Sequence, residues 1–571
     1  MYKQVFDPVS NSLGLSTIFA VLPLVVLFVL LGGLKVKAHW AGLAALGTAL
    51  VVAIAVYGMP TGQALDSGAE GATFGLFPIM WIVFNALWIY NMTVETGKFD
   101  VIRRSLGSIS EDARIQAVLI AFCFGTLLEG LAGFGTPVAI TAVMLIALGF
   151  KPVKAAALAL VADTAPVAFG AIAVPITTLG QTTGLSPDTL GAMVGRQTPF
   201  LAVVIPFVLV FMVDGRRGLR QAWPVALLGG LSFGLLQFAT SNYISIELAD
   251  IVASLVSIGV LVALTRVWQP GEPLRFEMRR RAGAPAIAGA ATRDVDLEER
   301  VTTRDGRGDR AATLHEELGE RRRTDSAGQI LLAFSPYLII IAVFMIAQLG
   351  PVKEWLDSTV KEFAWPGLHI ATADGSPPKS ATFTFNYLQT AGTVLLVCGL
   401  MTMAILRVSP GRALRIYGAT LNQMKWATLT VCSVLALAYV MNQSGETSTF
   451  ALWLAGAGGI FAFLSGIIGW LGVAVSGSDT ASNALFGALQ VKAAQGAGLS
   501  PTLMAAANSS AGVVGKMISP QNLAIGAAAV AMAGREGDLF RKVVGWSLVL
   551  LLFMCILVTL QSTSILSWMV P

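Results

Sequence analysis

The stretch Leu128-Glu129-Gly130-Leu131-Ala132-Gly133-Phe134-Gly135-Thr136-Pro137 places a carboxylate, three glycines and a proline inside sequence that is apolar on both sides. An unpaired backbone amide in hydrocarbon costs several kcal/mol, so irregular chain at membrane depth lines a cavity or packs against other helices. Residues 117 to 149 therefore read as two short helices meeting at a glycine-rich tip, a re-entrant hairpin. A second polar tip, Ser476-Gly477-Ser478-Asp479-Thr480-Ala481-Ser482-Asn483, sits within a matching hairpin at 457 to 495. Two polar tips in corresponding places of two halves point to a transporter binding site.

Composition sets the class. The chain has 571 residues, 55% hydrophobic and 12% charged, with a mean hydropathy of +0.72. Soluble domains carry about a quarter charged residues, so this is a polytopic membrane protein. The first apolar run, Leu13 to Leu34, has no small-residue cleavage pattern behind it and reads as an uncleaved helix. Cys123, Cys398, Cys432 and Cys555 lie singly in apolar runs and read as buried small hydrophobes. The three histidines, His39, His315 and His369, are far apart in the chain, so no metal site is legible and no cofactor is expected.

Runs of about 20 apolar residues place helices near 12–34, 38–57, 72–94, 190–213, 221–240, 248–267, 329–349, 384–405, 425–441 and 541–561. Two further spans are interrupted: 154–182 around Asp163-Thr164-Ala165-Pro166 and Val174-Pro175, and 501–533 around Asn508-Ser509-Ser510-Ala511-Gly512 and Ser519-Pro520. With the hairpins, the expectation is an all-α fold of about 12–14 membrane segments in two halves, 1–267 and 329–571. Residues 268–328 are the one long hydrophilic insert, its arginines and acids nearly balanced, and read as a cytosolic, largely disordered linker. That balance argues against a nucleic-acid partner. Lys and Arg cluster in loops on one side, including Arg103 and Arg104, Arg216 and Arg217, and Arg412 and Arg415, whereas loops 183–189 and 241–247 have none. The basic side is then cytoplasmic and both termini lie outside.

The halves repeat. Asn91, Glu95 and Thr96 match Asn442, Glu446 and Thr447 at an offset of 351; Gly133 and Thr136 match Gly477 and Thr480 at 344; Ala162, Gly170 and Pro175 match Ala507, Gly515 and Pro520 at 345. Seven crossings separate the span at 72 from that at 425, an odd number, so the repeat is inverted and one hairpin opens from each side.

A charge at the bilayer centre costs roughly 2.5 to 3.5 kcal/mol on insertion scales, so each one retained needs a reason. Glu129, one turn from the first tip among Leu127, Leu128 and Leu131, suits a proton carrier. Asp479, among hydroxyls and free amides, and Asp163, in the first interrupted span, are the other proton-coupling candidates. Glu95 and Glu446 fall at span ends and read as interfacial. Lys516 and Arg196 are the buried cations that could meet an anion, Lys516 also being a candidate ion-pair partner for Asp163 or Asp479. Thr136, Thr164, Ser478, Thr480, Asn483, Asn508, Ser509, Ser510 and Gln521 could serve a hydroxylated substrate; each is equally what a helix cap at a break would use.

Glu129-Gly130 followed by Gly133-Phe134-Gly135-Thr136-Pro137, the run from Asp163 to Ile172, Met193-Val194-Gly195-Arg196-Gln197, the run from Gly477 to Asn483, and the run from Gly515 to Gln521 closely resemble the lactate permease family. The resemblance covers nearly the whole chain outside the insert. It implies a plasma-membrane carrier, not an enzyme, that imports L-lactate, D-lactate and glycolate with protons. It also implies the topology of the wider ion transporter superfamily, in which a transport domain moves as an elevator. The chain departs from the family pattern at Asp163, where Asn is common, and at Glu446, where an apolar residue is usual. A sodium-coupled carboxylate transporter on the same fold is the alternative, since tip carbonyls can also hold a sodium ion. An aspartyl enzyme using Asp163 and Asp479 lacks any surrounding dyad signature, and a channel would show neither saturation nor counterflow.

Overall fold

The computed structural model describes residues 1–34, 36–133, 135–274, 325–371, 381–532 and 535–571. Long apolar runs can satisfy their backbone in hydrocarbon only as helices, and the described residues include ten helices long and apolar enough to cross a membrane. The number is eleven if Pro152–Ala162 and Val167–Thr183, bent by 65° at their junction, count as one span. The chain is thus an all-α polytopic protein. Its strands are short: Tyr2–Lys3 pairs in parallel with Ile370–Ala371, and Lys361–Ala364 pairs antiparallel with Thr382–Phe385, Lys361 opposite Phe385.

That second hairpin corrects one expected helix. The span expected from 384 begins at Ala391, because residues 382–385 are committed to the ladder. Other helices overrun their apolar cores: the one expected at 425–441 is part of Pro410–Ser444, and the span expected from 72 begins at Thr61 but leaves helical geometry at Phe77 before continuing as Trp81–Glu95. The spans expected at 190–213 and 221–240 belong largely to the continuous Thr198–Tyr243, which bends where Asp214, Gly215 and Ala222 leave helical geometry.

The first tip is made by Gly133 and Gly135, at φ +50° and +81°, between Ala113–Ala132 and Thr136–Ala147. The second is made by Gly477 at φ +76° with Ser478 capping Asp479–Ala497. Ala113–Ala132 has 20 residues, about 30 Å at 1.5 Å per residue, and both arms of the second hairpin, Gly458–Ser476 and Asp479–Ala497, have 19. The first arm gains length because polar residues ahead of its apolar run are buried too. Arg114 is fully buried and forks onto Asp112 (2.6 Å), with Asp214 at 3.1 Å and Gln221 at 2.6 Å. Ala113–Ala132 is buried along its whole length, against a third for Leu13–Leu31 and for Ala327–Ala347, so it forms the centre of the molecule while those two helices lie at the periphery.

The same succession of elements occurs twice. Helix Trp81–Glu95 breaks at Gly97 (φ +69°) before Lys98–Gly107, and Pro410–Ser444 breaks at Gly445 (φ +101°) before Glu446–Ala455; a glycine-tipped hairpin and an interrupted helix follow each break. Of the expected linker, residues 275–324 lie outside the described residues. Its flanks are anchored: the Leu274 carbonyl accepts from the Ala113 amide (2.8 Å), its amide donates to Asp112 (3.0 Å), and Asp325 is bound by Arg104 (3.0 Å).

Candidate functional site

Both tips close on the helix Pro520–Ala529, whose start is fixed by Ser519 accepting from the Asn522 amide. A Cβ at Gly135 would collide with Ile525, and one at Gly477 would lie 2.8 Å from Gln521 Oε1; the Gly477 carbonyl accepts from Asn522 Nδ2 at 3.1 Å. Glycine is required at both places by positive φ and by these close approaches. Between the tips lies a cavity of about 40 Å³, lined by Glu129, Gly133, Val167, Gly170, Ala171 and Pro175 from the first half and by Gly477, Ser478, Asp479, Thr480, Lys516 and Gln521 from the second. Gln521 is its exposed rim.

Lys516 is carried into this cavity by the 3-10 turn Val513–Ile518, the break of the second interrupted helix. Its Nζ donates to Glu129 Oε1 at 2.6 Å and stands 3.0 Å from Asp163 Oδ2, close enough for charge pairing but outside hydrogen-bond geometry. The expected pairing of Lys516 with Asp479 is absent: Asp479 accepts from Ser509 Oγ at 2.5 Å and from Asn483 Nδ2 at 3.3 Å. Glu129 Oε2, both oxygens of Asp163 and Asp479 Oδ1 are buried with no hydrogen-bond partner among the described residues. Buried polar atoms are rarely left unmatched, and three carboxylates around one ammonium leave an excess of negative charge unless protons are taken up.

A polar network continues from Asp479. Asn483 also donates to the Pro175 carbonyl (3.1 Å) and accepts from Asn508 Nδ2 (2.9 Å), while Gln490 donates to Asn508 Oδ1 (3.2 Å). The second hairpin is thereby tied to both interrupted helices. Ser510 turns away from Asp479 and donates to Gln197 (2.6 Å).

Two features of the first interrupted helix were not read from the sequence as parts of the site. Gly170 makes room for Glu129, whose Oε1 would lie 2.8 Å from any Cβ there. Ala171, Ile172 and Ala173 then run at φ +47°, +60° and +57°. Left-handed backbone costs roughly 1–2 kcal/mol per non-glycine residue, and strain of this kind concentrates at functional sites. The Gly-Ala-Ile-Ala run has no glycine at the strained positions, so only the preceding Gly170 signalled it.

The remaining expected residues divide. Thr164 is buried beside Asp163, 3.5 Å from the Leu160 carbonyl, and Thr136 begins the helix after the first tip. Arg196 is placed apart from the cavity, donating to Asn242 Oδ1 and to the Met569 carbonyl, both at 2.9 Å. Glu95 is exposed and pairs with Arg412 at 3.1 Å. Glu446 corrects its interfacial reading: it is fully buried, accepting from Ser444 (3.1 Å), because the N-terminal segment covers the Gly445 break, with Tyr2 donating to the Ser444 carbonyl (2.6 Å) and Gln4 to those of Asn442 and Gln443 (2.9 Å each).

A polytopic helical protein with paired glycine tips and a charged cavity enclosed among broken helices is a membrane transporter in class. The chain belongs to the L-lactate permease family, whose model matches residues 16–565. It is 42% identical to the glycolate permease GlcA of Escherichia coli K12, over 98% of each chain. It is 40% identical to the L-lactate permease of Bacillus subtilis strain 168 and to that of Escherichia coli K12, in both cases over the full length of each.

Proposed function

We propose that this protein imports lactate and related 2-hydroxymonocarboxylates such as glycolate together with protons across the plasma membrane. The observation that carries the proton coupling is the Lys516–Glu129 pair: the ammonium in the cavity is already held by a carboxylate. A substrate carboxylate and ionised Glu129 compete for one Nζ. A proton on Glu129 weakens its hold on Lys516 and removes the like charge facing the incoming anion, so proton and substrate enter as a pair. The N-terminal ends of Asp479–Ala497 and Pro520–Ala529 border the same cavity and add partial positive charge. Ser478, Thr480 and Gln521 supply bonding groups for the 2-hydroxyl, with Asn483, Asn508 and Ser509 holding Asp479 and the helices behind it. Asp479 serves as a second protonatable group, and Asp163 keeps Lys516 charged while Glu129 is neutral.

The recurring succession of elements supports an inverted pair of re-entrant hairpins moving as a unit, an elevator form of alternating access, with both termini outside. Proteoliposomes given either an inward proton gradient or an inward sodium gradient test the coupling. Lactate accumulation driven by protons alone is expected; accumulation that requires sodium and ignores pH would replace this reading with the sodium-coupled one.

A further inference from the structure

A buried polar seam runs between the arm Ala113–Ala132 and the helix Ala249–Val267. Ser257 meets Cys123 (Oγ–Sγ 3.3 Å), Ser254 meets Thr126 (Oγ–Oγ1 2.8 Å), and one turn further Asp250 abuts Gly130, where a Cβ would stand 3.0 Å from that of Asp250. Positions 250, 254 and 257 share one helix face. The serines are satisfied as helix-packing groups are: Ser257 also donates to the Gly229 carbonyl (2.9 Å), and Thr126 to that of Cys123 (2.9 Å). Asp250 is not. It is 1% exposed, its Oδ1 accepts from Gln237 Nε2 at 2.8 Å, and its Oδ2 has no hydrogen-bond partner among the described residues. Gln237 is aimed by Thr198, which donates to its Oε1 at 2.9 Å.

Two placements give Asp250 a use. It lies in the first turn of its helix, just after the exposed Tyr243 and Ile244 and the half-buried Glu247 that Ser245 bonds at 2.5 Å, with Ser245, Ile246 and Leu248 buried between them and the helix. It also lies against Gly130, the chain neighbour of Glu129, whose Oε2 is likewise buried with no hydrogen-bond partner among the described residues. The charged groups near it are Glu129 and Asp163, both gathered on Lys516; helix Thr198–Tyr243 presents the neutral Gln237, and Ala327–Ala347 contains no charged residue.

We propose that Asp250 relays protons between the surface at Ile244 and Glu247 on one side and Glu129 on the other, an inference that rests on the proton-coupled reading above. In the inward step the proton leaves Asp250 Oδ2 and arrives on Glu129 Oε2. The Asp250 carboxylate left behind is stabilised by the Gln237 N–H and by the amides of its own first turn, and bulk water reloads it from the surface.

The test compares wild type, Asp250→Asn and Asp250→Glu in proteoliposomes, measuring lactate uptake driven by a pH gradient and lactate counterflow in the same preparation. Asp250→Asn keeps the shape and the Gln237 bond but carries no transferable proton, so the ratio of pH-driven uptake to counterflow is expected to fall at least about tenfold. Asp250→Glu is expected to recover most of that ratio with a shifted pH profile, and it provides the measurement should Asp250→Asn fail to fold. A wild-type ratio in Asp250→Asn, equal impairment of both variants, or an unshifted profile in Asp250→Glu overturns the relay. Absence of pH-driven uptake in wild type would instead overturn the proton-coupled reading itself.

Discussion

Neutralising Lys516 should separate its role in holding the fold from its role in holding substrate. In Lys516→Gln the 2.6 Å bond to Glu129 and the 3.0 Å approach to Asp163 are lost, leaving two buried carboxylates without a cation. Removing one partner of a buried pair costs about 3–5 kcal/mol, so a lowered melting temperature in detergent is expected. Adding Glu129→Gln removes one of the stranded charges and should recover a large part of that loss. Binding should not recover with it. A charge-assisted hydrogen bond contributes about 1.5–3 kcal/mol, which predicts a lactate affinity reduced by roughly 10- to 150-fold in single and double variants alike. Counterflow KM in proteoliposomes, read beside thermal denaturation of the same preparations, gives both quantities. Wild-type KM in Lys516→Gln, or recovery of KM along with stability in the double variant, would show that the substrate carboxylate is held elsewhere.

Three other expectations use different parts of the structure. Gly170→Ala puts a methyl 2.8 Å from Glu129 Oε1; overpacking of this kind costs about 1–3 kcal/mol, and transport should fall while the protein still folds, as measured by uptake and size-exclusion profile together. Propionate, lacking the hydroxyl, leaves at least one polar group of the cavity unmatched, so it should compete with lactate roughly 2- to 12-fold less well, from about 0.5–1.5 kcal/mol per hydrogen bond; equal competition would count against hydroxyl recognition. Arg114→Ala strands buried Asp112 and frees the bend at Asp214, so about 3–5 kcal/mol of stability should be lost, and Arg114→Lys should restore little of it because an ammonium cannot reproduce the fork.

The breaks were legible because glycine, proline and carboxylates interrupt apolar runs that otherwise have only one backbone solution in hydrocarbon. Gly133, Gly135 and Gly477 mark chain turns in the structure where punctuation marks them in the sequence. Pairings were less legible. Lys516 and Glu129 are 387 positions apart, and which of three carboxylates it would select depends on how the hairpin arms pack against the interrupted helices, a tertiary fact that periodicity does not carry. Asp479 among its hydroxyls looked like a partner for Lys516; the short side chain is instead taken up by Ser509 on an adjacent helix and by Asn483 one turn further along its own. Helix lengths were underestimated where buried polar residues such as Arg114 extend a helix beyond its apolar core. Thr384 and Phe385, the end of the strand Thr382–Phe385, were read as the start of a helix because a short apolar run does not distinguish the two. Glu446 was assigned to a span end from its chain position, whereas its burial by the N-terminal segment depends on contacts made across the fold; Asp250 was not singled out from the sequence, and its burial against Gly130 is likewise a tertiary contact.

Coupling through Glu129 is tested most directly by recording external pH when lactate is added to proteoliposomes of wild type and of Glu129→Gln. Wild type should remove protons from the medium as lactate enters, so the medium becomes alkaline. Glu129→Gln, fixed in the neutral form, should show no lactate-dependent alkalinisation and no uphill accumulation, while still exchanging labelled lactate. Lactate-dependent alkalinisation of normal size in Glu129→Gln would contradict the account and move the proton to Asp479 or Asp163.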